Sequence, residues 1–153
     1  MENELVLLGR RLLQAYARRD YLAVSRMAID YLAAAERNRD SAHYGNAIHQ
    51  ANTMLGLIEL EHDRVDRATD YLLHSARTPG SPQIKLLGPN MLLADKLLAY
   101  GQRSAVLRYL EACRRLWTLS FGTLWRWRWQ VARGRTPDFG ANLSYLTDYK
   151  SFG

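Results

Sequence analysis

The sequence predicts an all-α protein, a short stack of about three helical hairpins followed by a C-terminal helix. Three observations predict it. Apolar residues recur at helical spacing along nearly the whole 153-residue chain. Capping residues and glycines cut that pattern into about seven segments. A short motif also recurs: AIDYLAAA, ATDYLLHSA and VLRYLEAC align Tyr31-Leu32, Tyr71-Leu72 and Tyr109-Leu110 at spacings of 40 and 38. Such periods mean stacked hairpins, none of which buries its apolar face alone.

The elements follow in order. A first helix puts Leu5, Leu8, Leu12 and Ala15 on one face, with Leu13 and Tyr16 beside it. Asp20 is placed to cap a second helix through YLAVSRMAIDYLAAAERN. Asp40 or Ser41 is placed to cap a third, ending near Glu61, and Asp63 a fourth, with Asp66 in its first turn and its end near Arg77. Residues 78–90, TPGSPQIKLLGPN, hold three of the four prolines and read as a stiff connector. Pro89 suits the first turn of a fifth helix and Gly101 its left-handed stop. A sixth runs from about Gln102 to Leu119, and a seventh, TLWRWRWQVAR, stops at Gly134; the tail TPDFGANLSYLTDYKSFG is a loop with one short helix after Asn142. Trp125, Trp127 and Trp129 alternate with Arg as in a strand, but a lone strand has nothing to pair with.

Composition bounds the function classes. With 48% hydrophobic and 24% charged residues, the chain has enough apolar surface for a packed core in one domain over 1–153, with repeats over about 4–119 and a Trp/Arg helix and tail over about 120–153. The single cysteine, Cys113, excludes an internal disulfide and fits a reducing, cytoplasmic location. The apolar run Leu5 to Leu8 is too short for a signal peptide or a membrane span. The net charge of +6 sits in one place: six Arg and no acid lie between Arg114 and Arg135, and the other 15 basic residues balance all 15 acids.

The stretch from His49 to Pro82 resembles a tetratricopeptide repeat. Leu55-Gly56 in its first helix, Ala68 and Leu72 in its second and a closing Pro carry the likeness. The usual aromatic three residues after Gly56 is replaced by Glu59. TPGSPQ, GPNM and PDFGANL are similar to segments of small bacterial helical-repeat proteins of unassigned function. The resemblance implies a right-handed stack, close approach of two helices at Gly56 and Ala68, and a non-catalytic role in binding a protein or peptide. It brings no catalytic residue.

Two constellations are candidate sites. From Ser41 to Ile58 the third helix carries no Asp, Glu, Lys or Arg, which suits a central helix enclosed on most sides. It nevertheless carries a stripe of Asn46, Gln50 and Thr53. Either these pair with neighbouring helices, or they line a groove for a peptide or small molecule, with Ser81, Gln83 and Asn90 of the connector as its rim. The second constellation is Trp125, Arg126, Trp127, Arg128, Trp129 and Arg133. On a helix, Trp125 and Trp129 share one face near Phe121, and Trp127 lies opposite them beside Leu124 and Val131. That is more apolar surface than one neighbour covers. Its cover is the tail (Phe139, Leu143, Tyr145, Leu146, Tyr149), a second copy of the chain or a partner. In the nucleic-acid reading, Arg contacts phosphates and Trp stacks on bases or sits among lipid headgroups.

Catalytic and metal patterns are thin. His43 and His49 fall on different helix faces, and no histidine pair joins a carboxylate at metal-ligand spacing. Cys113 takes a small core position, which marks it as buried, not nucleophilic. No catalytic residue, metal or cofactor is expected. The leading expectation is a protein- or peptide-binding module, alone or as a homodimer. The alternatives are nucleic-acid binding through 114–135 and, more weakly, a small-molecule binder or enzyme using the polar groove.

Overall fold

The computed structural model describes residues 3–145. Leu146 and Tyr149, two of the expected cover residues, lie outside them. The described residues are helical with no strand: α1 Glu4–Ala17, α2 Tyr21–Arg37, α3 Tyr44–Glu61, α4 Val65–Ser75, α5 Pro82–Leu87, α6 Leu92–Ala99, α7 Arg103–Leu116 and α8 Thr123–Ala132, then a 3-10 turn, Gly140–Leu143.

Local chemistry sets most boundaries. Asn3 caps α1, its Oδ1 accepting from the Leu5 amide at 2.9 Å, and Asp20 caps α2, accepting from Ala23 at 3.2 Å. The expected caps of α3 and α4 do other work. Ser41 Oγ accepts from the His43 amide at 3.1 Å, closing a turn, so α3 starts two residues later than a Ser41 cap would set it. Asp63 adopts φ +56 and turns the corner into α4 instead of capping it. Pro89 lies outside α6; the cap-like acceptor there is Asn90 Oδ1, which takes the Leu92 amide at 2.8 Å. Gly101 has the left-handed φ of +75 expected of a stop.

The connector is more ordered than its prolines suggest. Ser81 Oγ accepts from Ile84 at 3.0 Å, Pro82 takes the first turn where its missing N–H costs nothing, and α5 forms. Ile84 is buried, whereas Leu86 and Leu87 are exposed. The short C-terminal turn also differs in place: Asn142 sits inside it, not before it.

In order α1 packs on α2, α2 on α3 and α3 on α4, α1 also reaches α3, and α4 meets both α6 and α7 before α8 docks on α7. One apolar core runs from Leu5 through Phe139. At its centre α3 is buried at every residue from Gly45 to Leu60, which accounts for the absence of formal charge as far as Ile58; Glu59, the acid in that span, is paired with Arg64 and Arg67. The motif tyrosines Tyr31 and Tyr109 are fully enclosed in α2 and α7. Gly56 does allow a close approach, but to different residues than expected. A Cβ there would stand 2.3 Å from Leu93 of α6 and 3.2 Å from Tyr71 of α4, both nearer than any atom of Ala68.

Candidate functional site

The polar stripe of α3 lies inside the protein. Asn46 donates through Nδ2 to Gln83 Oε1 and accepts through Oδ1 from Ser81 Oγ, so three of the six residues expected at a groove form a knot between α3 and α5. Thr53 Oγ1 donates to His49 O in its own helix at 2.8 Å. Gln50 is fully buried, Thr53 and Asn90 nearly so, Ser81 is half-buried and Gln83 keeps an exposed side. Of the six, Asn46, Gln50, Thr53 and Asn90 are enclosed, while Ser81 also lines a surface depression with Pro79, Pro82 and Lys85.

Asn90 belongs to a second network that the sequence did not assemble, because its members lie on α3, α4, the connector, α7 and the tail. The Asn90 amide donates to His49 Nε2 at 2.9 Å, so His49 carries its proton on Nδ1 and donates it to Ser75 O at 2.9 Å. Tyr109 OH donates to Asn90 O at 2.8 Å, and Asn90 Nδ2 donates to Tyr145 O. Burial holds His49 neutral, its pKa lowered to about 4 against the opposing pull of the Ser75 carbonyl. Neutral, doubly bonded and enclosed, it is a structural histidine.

Cys113 is equally enclosed, and burial pushes its thiol up to about 12, so it holds almost no thiolate at neutral pH. Among the described residues no group of three or more His, Cys, Asp or Glu is placed to hold a metal ion, and no helix is long and apolar enough to cross a membrane.

The Trp/Arg segment divides by helix face. Trp127, with Leu124 and Val131, turns inward. Its ring meets Trp117 at 5.5 Å and stands edge-on to Phe139 at 5.0 Å, so the tail covers it as one reading expected. Asn142 holds that part of the tail down, donating to the carbonyls of Leu87 and Pro89 at 3.0 and 2.9 Å, while its own carbonyl accepts from Met91 at 2.8 Å. Among the described residues Phe121, in the turn before α8, and Trp125 and Trp129 on α8 form one ridge and are 89, 68 and 42% exposed.

Cations frame the ridge. Arg133 lies over the Trp129 ring, 4.2 Å from its centre. Arg128 and Arg114 converge on one carboxylate, Glu111, at 2.6 and 2.8 Å, and Arg126 is exposed with no ion pair among the described residues. Phe121, the most exposed of the ridge residues, was legible only as a neighbour of the Trp face, because its φ of +51 in the turn before α8 turns on tertiary placement. Fold and site together define a helical protein with an exposed cationic, aromatic face. No protein-family model matches the chain, and no curated protein or solved structure matches it either.

Proposed function

We propose that the protein is a non-catalytic binding module of the cytoplasm that docks a protein partner on the exposed face of α8. The observation that carries this reading is the exposure of Phe121, Trp125 and Trp129 on one ridge. An aromatic side chain buries roughly 150–250 Å² when covered, so three of them held in water are a standing driving force for association. Trp and Arg are also the residue types that dominate interface energetics. The pairing of α1 with α2, α3 with α4 and α6 with α7 supports a tetratricopeptide-like, right-handed stack as the scaffold.

Charge favours a different chain over a second copy. A two-fold contact through this face would set Arg126, Arg128 and Arg133 against themselves, and like charges across an interface are costly. The test is a Trp125→Ala, Trp129→Ala double variant. It should retain the parent's melting temperature and lose a partner that co-purifies from the native host and rebinds the parent as a purified protein. If the parent sediments as a dimer that the variant dissociates, the face joins two copies. If it retains nucleic acid with a steep salt dependence instead, the nucleic-acid reading replaces this one.

A further inference from the structure

A furrow runs round the C-terminal end of α7. It consists of three depressions that share lining residues. The first, of about 450 Å³, lies between Arg77, Thr78, Pro79 and Arg115. The second, of about 580 Å³, shares Pro79 and Arg115 with it and adds Pro82, Lys85 and Thr118. The third, of about 370 Å³, shares Thr118 and continues past Arg114 and Arg128 to Trp125. The lining carries five cations and no acid. The charge is regional: between Arg77 and Pro137 the chain has eleven Lys and Arg against two acids, Asp95 and Glu111.

We propose that this furrow holds an extended acidic segment of a protein partner. Its carboxylates would meet Arg77, Lys85, Arg115 and the Arg114–Arg128 pair, and its aliphatic side chains would lie on Pro79 and Pro82. Three features carry this. Arg115 is fixed, donating through Nη2 to Ala76 O at 3.2 Å, which orients its charge without neutralising it. Arg114 and Arg128 already close on a carboxylate from both sides, and one Glu111 against two guanidinium groups leaves a positive charge for a partner's carboxylate. The floor of the central depression is proline and leucine, and the aromatic rings Trp117 and Trp125 line only the third, so a run of bases would find stacking planes at one end alone. Aliphatic side chains fit such a floor, and a flat headgroup surface does not follow a curved furrow.

The inference rests on the reading of a protein-binding module; Trp125 borders both surfaces, but Arg77, Lys85 and Arg115 lie apart from the ridge, so variants at those three let the two readings fail separately. The experiment uses fluorescence anisotropy with a labelled peptide of Glu-Leu-Pro repeats, its Gln-Leu-Pro counterpart, an oligouridine and phosphatidylserine vesicles. The Glu peptide should bind at least about tenfold more tightly than the Gln peptide, and its affinity should fall as salt is raised. An Arg77→Glu, Lys85→Glu double variant, at two exposed positions, should weaken it about tenfold or more with unchanged melting. Arg115→Glu should do the same. An Arg26→Glu variant, a charge reversal at an exposed position of α2 outside the furrow and the ridge, should leave peptide binding within about twofold. Equal binding of the two peptides, no binding of either, or indifference to charge reversal would overturn the proposal while leaving docking on α8 intact. Tighter binding of oligouridine or vesicles through the same cations would also overturn it.

Discussion

At the scale of single residues, polar groups inside the protein hold its parts in register. His49 reads on the sequence as one of several polar residues on an uncharged helix. In the fold it accepts from Asn90 and donates to Ser75, tying α3 to α4 and to the connector. Its pKa is lowered to about 4 by burial, below the ordinary value of 6.5. The unfolded chain therefore takes up the proton first as pH falls. Stability from this group is fully present above pH 6.5, declines as pH drops through that window and is gone below about 4, a loss of roughly 3 kcal/mol. Thermal melts should stay level from pH 7.5 to about 6.5 and fall from there to pH 5, and His49→Gln should be less stable at neutral pH with a flatter slope. Gly45 is a second residue-scale point. A Cβ there would stand 1.8 Å from the Gly80 carbonyl oxygen, a backbone atom with no rotamer to escape into. Gly45→Ala should cost about 3 kcal/mol, the upper end of ordinary overpacking. Gly56→Ala should cost less, since its closest clash is the flexible end of Leu93 and a helical Gly-to-Ala change returns about 1 kcal/mol. Comparing the two melting temperatures checks the order.

At the scale of elements, α8 shows why periodicity locates a face but not its neighbour. The 100° rule placed Trp127 with Leu124 and Val131, and those three are the buried residues of the helix. It also grouped Trp125 with Trp129, and those two share exposure. Trp127→Ala should therefore cost about 3–5 kcal/mol, while Trp125→Ala should change stability by no more than about 0.5 kcal/mol. Chemical denaturation of both variants tests the division, and equal losses would mean that the face assignment is wrong. The connector teaches the converse. Three prolines and two glycines read as loop, yet Ser81 and Pro82 are also a helix start, and six residues are too few to display a period. The caps of α3 and α4 were misread for a related reason. Ser41 and Asp63 serve turns as readily as helix ends, and the choice depends on how the preceding helix must be joined to the next.

At the scale of the whole molecule, the C-terminal segment closes the structure. Phe139 is buried against Trp127, and Asn142 spans the connector and the start of α6. Removing Asp138 to Gly153 should expose Trp127, shift tryptophan emission to the red and lower the melting temperature by several degrees. An unchanged spectrum and melt would show that the repeats stand without this cover. The same arrangement explains the uneven charge. The cations of the C-terminal half line the furrow and frame the aromatic ridge, while the buried α3 has no room for any.

By itself the sequence determined the helical class, the enclosed third helix, the structural role of Cys113 and the two-sided character of α8. Each depends on short-range spacing or on composition, which a chain displays before it folds. Only the tertiary structure decided that Asn46, Ser81 and Gln83 meet in a knot, that Asn90 binds His49 and the tail, that Phe121, Trp125 and Trp129 stay in water, and that Arg77, Lys85, Arg114, Arg115 and Arg128 share one furrow. These residues lie tens of positions apart. Their meeting depends on how whole helices cross and on where the last segment finds cover, and local periodicity carries no information about either.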